Sequence, residues 1–353
     1  MLEKSKQENI TTNEDKKFKR KDITDQIVRY IFLFIAILCA SFVIFIVIFI
    51  LEKGIEPFVK NYSTTEGEWL SQDFGLFFTN TRWLYNGQGG MGFLLLTTLY
   101  TTLISLIISV PVSIFTALFV VRMAPKKTKP VIKTCVELLS SIPSVIYGIF
   151  GMGVICPIIA GLPVDTFAGN TILAGALVLA LMSIPTITMV SINAVEAVDK
   201  RLIDASIALG ASSAQTNIKI VLTSAKSGIF AGIILGVGRA LGEATAVQMV
   251  IGNNSLGTGF YNPFNPGMTL TSAMLSGIGE ATGLGYDVRF SLGIVLILVI
   301  LAITAILNVI KNKMDTIKTK NSTSIFTKIK TLFGQDITLV RTYINDKFRK
   351  NKK

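Results

Sequence analysis

The chain has 353 residues, half of them apolar, a mean hydropathy of +0.59, and 34 Lys and Arg against 22 Asp and Glu. Charged residues make up only 16%, against roughly 25% in an ordinary globular protein, and the apolar residues run in long blocks; this excludes a soluble domain and points to an all-α polytopic membrane protein. The absence of any His excludes His acid/base chemistry, His metal ligands and a Ser-His-Asp triad, and the isolated Cys39, Cys135 and Cys156 offer neither a CxxC redox site nor a thiolate cage, so no catalytic or metal-ligating residue is expected.

A helix crosses the hydrocarbon core with about 20 apolar residues at roughly 1.5 Å each. Residues 1–29 mix eight basic with six acidic residues and read as a flexible cytoplasmic leader, too acidic for the n-region of a cleavable signal. Residues 30–51 form a first, charge-free span, followed by an extracytoplasmic loop over 52–92. A core over 93–311 then supplies five further spans. They are expected at 93–121, at 136–160 with kinks at Pro143, Gly148, Gly151 and Gly153, at 172–195 around Pro185, at 228–251 and at 290–310. Residues 312–353 are a basic tail.

Charge tests this six-span layout independently. Of the 34 Lys and Arg, 29 fall in segments on one side; the other side holds Lys53, Lys60, Arg82 and Arg289 beside eight acidic residues, and Arg239 lies inside the fifth span. Positive charge collects on the cytoplasmic side, so both termini are expected there. Basic residues spread by topology in this way also remove a nucleic-acid reading. In the tail, Ile325/Phe326, Ile329 and Leu332/Phe333 have the spacing of one helical face, which suits either a helix on anionic membrane lipid or a solvated basic segment that only fixes topology.

The cytoplasmic loop over 196–226 reads as a short amphipathic helix, a Gly stop and a second helix. It resembles the EAA loop of ABC-transporter permeases: Asp204, Ala205, Gly210, Ile220 and Leu222 hold the register of that pattern, with Asp204 for Glu, Ser206 for the second Ala and Thr223 for the Pro. The resemblance implies that Asp204, Ala205, Ser206, Gly210, Ile220 and Leu222 form a coupling element that docks on a separate ATPase subunit. ATP and Mg would be used there and no cofactor bound by this chain, which has no GxxxxGK[ST] motif.

In the fifth span Gly228, Gly232, Gly236 and Ala240 recur every four residues, a stripe that admits close helix packing. Arg239 and Glu243 lie one turn apart on a neighbouring face, where they can pair. A charge at membrane depth costs at least about 2.5 kcal/mol, so the pair is either a structural lock or an oxyanion contact, the guanidinium supplying a planar donor fork and the carboxylate holding it.

The run Gly238 to Val247 with Gly252-Asn253, together with Ile142 to Gly151, Thr269-Leu270-Thr271 and Glu280-Ala281, resembles the phosphate-specific ABC permeases, of the PstC type, over about residues 94–308. That implies a type I importer (MetI-like) fold in the bacterial plasma membrane and a phosphate path at Arg239 and Glu243. The implied partners are a second permease of PstA type, ATPase subunits of PstB type and an extracytoplasmic phosphate-binding protein of PstS type. A permease for sulfate or molybdate keeps the same architecture. An ATP-independent channel or secondary transporter would call for inverted repeats or ionisable residues on several spans, and neither is evident.

Overall fold

A computed structural model describes residues 2–63, 69–83, 89–166, 168–257 and 259–314, with the backbone alone for 2–25, 63, 69 and 70. The tail from residue 315 onward, including the apolar positions from Ile325 to Phe333, lies outside the described residues. In chain order come α1 (Leu2–Val59), a two-residue antiparallel pair of β1 (Tyr62–Ser63) and β2 (Trp69–Leu70), α2 (Phe74–Thr79), α3 (Gly92–Met123), α4 (Thr128–Ser141) and α5 (Ser144–Ala160). They are followed by α6 (Ile172–Glu196), α7 (Lys200–Ala208), α8 (Ser213–Gly242), α9 (Thr245–Val250), α10 (Leu270–Leu275) and α11 (Leu284–Met314).

Helices α1, α3, α6, α8 and α11 are long and apolar enough to cross a membrane, and the bent pair α4–α5 raises the number to up to six. Two expected spans differ from their sequence outlines. The third does not run from Val136 to Ala160: the chain turns by 93° at Ile142-Pro143, because Pro143 offers no N–H and forces Ile142 into an extended conformation. Gly148 and Gly151 are not the kinks; a Cβ on Gly148 would lie 2.6 Å from Met249 Sδ, and one on Gly151 2.6 Å from Val178 and 2.7 Å from Val250, so both let α5 press onto α6 and α9. The fifth span does not continue from Gly228 to Ile251 as one helix. α8 stops at Gly242, Glu243 is extended, and α9 restarts at Thr245.

α6 is the hub: 67% of its apolar window is buried, against 0% for α1. Small side chains explain how closely its neighbours approach. On α3 the residues Thr97, Thr101, Ser105, Ser109, Ser113 and Ala117 recur every four positions and are fully buried along the α3–α6 seam, where Ser113 donates to the Ile184 carbonyl at 3.1 Å. On the other side Gly228, Gly232 and Gly236 of α8 lie against Ala194, Val190 and Ile187 of α6.

One end of the bundle carries the basic segments. There Leu118, Val195, Ile203, Val221, Ala225 and Ile229 join α3, α6, α7 and α8. Lys129 and Lys133 tie α4 to Glu196 at 2.8 and 2.9 Å, and Arg122 donates to Asn217 at 2.9 Å. At the opposite end residues 60–63, 69–83 and 89–91 and residues 252–257 and 259–283 close into one cap around Trp83, which is 1% exposed. Its backbone N–H bonds the Ser255 carbonyl at 2.8 Å, and Gly257 bonds the Thr81 carbonyl at 2.7 Å. The same end gathers charge that composition did not flag: Tyr62 donates to Asp287 at 2.7 Å, Lys53 pairs with Glu56 at 3.0 Å, and Arg289, read from sequence as a loop residue, is 2% exposed and donates to the carbonyls of Gly285 and Ser276.

Candidate translocation site and coupling surface

Arg239 and Glu243 are four residues apart, which in a continuous helix would stack them on one face. Gly242, however, is the last residue of α8, and the extended Glu243 (φ −73°, ψ 126°) turns its side chain out of that register. No ion pair joins the two among the described residues. The expected pairing is therefore corrected: a helix without a proline breaks here, between a flexible Gly and a restarted short helix.

Each charge has other partners. Arg239 Nη1 donates to Thr186 Oγ1 of α6 at 2.8 Å, and this is the one hydrogen bond of its guanidinium among the described residues. Glu243 Oε1 accepts the Ala246 N–H at 3.1 Å and the Thr245 hydroxyl at 3.0 Å, capping α9, while its backbone carbonyl accepts from Thr271 at 2.8 Å. A hydroxyl has one proton, and Thr245 spends its own on the carboxylate, so the 3.0 Å contact between Ser144 and Thr245 is a donation from Ser144. The α4–α5 break and the α8–α9 break thus meet.

These contacts bring a guanidinium, a carboxylate and several hydroxyls to one zone where four helices either break or turn. Gly238 and Gly242 flank it on an open face, for a Cβ at either would meet nothing within 4 Å. Gly252 (φ +90°) and Asn253 (φ +48°) end the segment in a left-handed turn that brings Gly267 back to Ile251 at 2.9 Å and so positions α10 beneath Glu243. Ala240 is buried. Sequence reasoning missed Thr186, Ser144, Thr245 and Thr271 as members of the zone. Three of them lie inside the quoted family-like runs, and Thr186 carries no signal beyond following Pro185.

At the basic end, α7 starts from Asp199, whose carboxylate accepts the Arg201 N–H at 2.9 Å, and stops at Gly210 in the left-handed region (φ +84°). Asp204 and Ala205 are exposed; Ser206 is half-buried and bonds Thr216 across the turn at 2.9 Å. Ser212 and Gln215 form a reciprocal cap that starts α8. Ile220 and Leu222 belong to α8 itself, Ile220 within a π-helical turn over Thr216–Val221 and Leu222 just after it, and both are half-buried. The element presents Leu202, Ile207, Leu209 and Ile218 to its surroundings, Leu209 being 90% exposed.

Comparison with known proteins places this arrangement. The family model described as binding-protein-dependent transport system inner membrane component matches residues 109–316. A probable ABC transporter permease protein of Bacillus subtilis, YqgH, is 38% identical over 181 residues, 51% of this chain and 58% of that one. The phosphate transport system permease protein PstC of Pasteurella multocida is 32% identical over 209 residues, 53% of this chain and 64% of that one, so the chain spans less than two thirds of either relative. Among solved structures, a chain of a bacterial alginate ABC transporter in complex with an alginate pentasaccharide-bound periplasmic protein shares the fold, with a TM-score of 0.58 at 16% identity over 83% of this chain and 97% of that one. The matched stretch contains both helix breaks, the hub α6 and the α7 turn, and the chain belongs to the family of binding-protein-dependent transport system inner membrane components.

Proposed function

We propose that the chain is a permease subunit of an ATP-driven phosphate importer, with residues 93–311 as its translocating core and the loop over 196–226 as its coupling element. The observation that carries this is Arg239: a half-buried guanidinium within an apolar helix, with, among the described residues, a single hydrogen-bond partner and no carboxylate paired to it. A charge so placed is costly unless a further partner arrives, and the planar fork fits a tetrahedral oxyanion. The PstC relative carries phosphate transport in its name, which supports phosphate over other oxyanions.

The remaining parts follow from that reading. A second permease of PstA type lines the other half of the path, an extracytoplasmic binding protein of PstS type delivers phosphate, and ATPase subunits of PstB type hold ATP and Mg. The exposed apolar residues of α7 dock on those ATPases, and ATP-driven closure moves α7 and rocks the bundles between two openings. The basic end is cytoplasmic, with both termini on that side of a bacterial plasma membrane. Glu243 serves by fixing the α8–α9 break and not by holding the guanidinium.

Uptake of radiolabelled phosphate into vesicles carrying the assembled complex tests this. Wild type should take up phosphate with ATP and ignore excess sulfate, and Arg239→Ala should lose uptake while assembly and ATP hydrolysis persist. Inhibition by sulfate would move the cargo assignment to another oxyanion, and full uptake by Arg239→Ala would end the role of Arg239.

A further inference from the structure

Thr186 is the α6 side chain that meets the Arg239 guanidinium. Its hydroxyl, following Pro185 inside α6, accepts from Arg239 Nη1 at 2.8 Å, and no described residue accepts its own proton. Other threonines in these helices turn their proton back onto a carbonyl one turn earlier, as Thr98 does to Leu94 at 2.6 Å and Thr101 to Thr97 at 2.7 Å. Thr186 instead leaves its proton uncommitted, beside a guanidinium of which one N–H out of five is engaged. A hydroxyl that accepts from a cation is polarised and becomes a better donor.

We propose that Thr186 is a second ligand of the transported oxyanion: Arg239 orients its hydroxyl by donating to the oxygen, and that hydroxyl donates its proton to the anion bound by the rest of the guanidinium. The site is then shared by two helices. α8 supplies the charge and α6 supplies the neutral donor, so the anion bridges the hub and its neighbour across the Gly232 and Gly236 contact. Glu243, engaged instead by Thr245 and Ala246, leaves the fork without an internal carboxylate. This rests on the reading of Arg239 as the oxyanion contact, and the test separates the two.

The assembled complex, purified with its partner subunits and without the binding protein, is titrated with radiolabelled phosphate in wild type, Thr186→Val, Thr186→Ser and Arg239→Ala. Loss of one charge-assisted donor predicts a rise of about tenfold in the half-saturating phosphate concentration for Thr186→Val. Recovery to within about twofold is expected in Thr186→Ser, which restores the hydroxyl. Should the valine variant fail to assemble, Thr186→Ala gives the same comparison. An unchanged half-saturation in the hydroxyl-free variant, with binding lost in Arg239→Ala, overturns the role of Thr186 and leaves Arg239 in place. Wild-type binding by Arg239→Ala overturns the underlying reading and Thr186 with it.

Discussion

Ser144 and Thr245 meet hydroxyl to hydroxyl at 3.0 Å, each just beyond a point where its helix is interrupted. Ser144 opens α5 after the Ile142-Pro143 bend, and Thr245 opens α9 after the Glu243 bend. Two discontinuities 101 residues apart in sequence therefore share one polar junction, and Glu243 ties it to Thr271 in the first turn of α10. Backbone freed from its own helix needs such partners when it lies in apolar surroundings.

Glu243 therefore acts on its own helix start. Glu243→Ala should lower the stability of the assembled complex by about 0.5–2 kcal/mol, the usual cost of a lost cap, while Glu243→Gln retains most of it through its amide oxygen. In a double-mutant cycle followed by chemical unfolding, the coupling between Arg239 and Glu243 should stay within about 0.5 kcal/mol, whereas Arg239 and Thr186 should couple by about 1 kcal/mol. A larger Arg239–Glu243 coupling would restore the ion pair that helical spacing suggests.

The glycines of α8 divide by what surrounds them. Gly236→Leu would place its Cβ 2.6 Å from Ile187 and should cost about 1–3 kcal/mol through forced separation of α6 and α8. Gly238→Ala meets nothing within 4 Å and, by removing a helix-interior glycine, should raise the unfolding temperature of the chain slightly or leave it unchanged. Equal effects from the two substitutions, measured by the unfolding temperature of detergent-solubilised protein, would contradict the packing described for α6 and α8.

Leu209 follows α7 with 90% of its surface exposed. Leu209→Asp should alter folding stability by no more than about 0.5 kcal/mol, as surface substitutions do, and abolish ATP-dependent uptake by breaking the contact proposed with an ATPase subunit. Retention of ATPase subunits on an affinity-tagged chain reads this directly; undiminished retention and uptake would remove α7 from the coupling surface.

Tyr62 in the cap gives a signature in alkali. Burial, and then the Asp287 carboxylate that accepts its proton, raise its ionisation well above the ordinary tyrosine range. The neutral phenol is thus favoured in the folded protein. Its contribution is fully present below the ordinary tyrosine pKa of about 10 and is lost as pH rises from there toward the folded value. The unfolding temperature of wild type should fall more steeply between about pH 9.5 and pH 11 than that of Tyr62→Phe, which has no proton to lose. Parallel slopes would mean that the Tyr62–Asp287 bond does not hold the cap.

Hydropathy made the spans legible because long apolar runs answer to one dominant demand, the thickness of hydrocarbon. The α7 turn was legible too, since Gly210 is a local signal for stopping a helix; Asp199 and Ser212, which cap the two helices, went unread. What sequence did not reveal depends on contacts between distant segments. Nothing near Gly242 marks a break as Pro143 does, and it holds only because Thr271 and Ala246 engage Glu243 once the fold has formed. Arg289 reads as a loop residue until carbonyls of the cap surround it. The every-fourth-residue stripe of α3 was present in the letters, but Thr and Ser look like ordinary polar interruptions until α6 lies against them.

That stripe has a mechanical consequence. On α3 and α6 the buried hydroxyls of Thr97, Ser109, Ser183, Thr188 and Ser191 have no hydrogen-bond partner among the described residues, and the six stripe positions of α3 themselves carry only Thr, Ser and Ala side chains. A surface of this kind resists being pulled apart, because the backbones are close and well packed, yet presents few steps to movement along its length. The seam is a bearing: stiff against separation, compliant in axial shear.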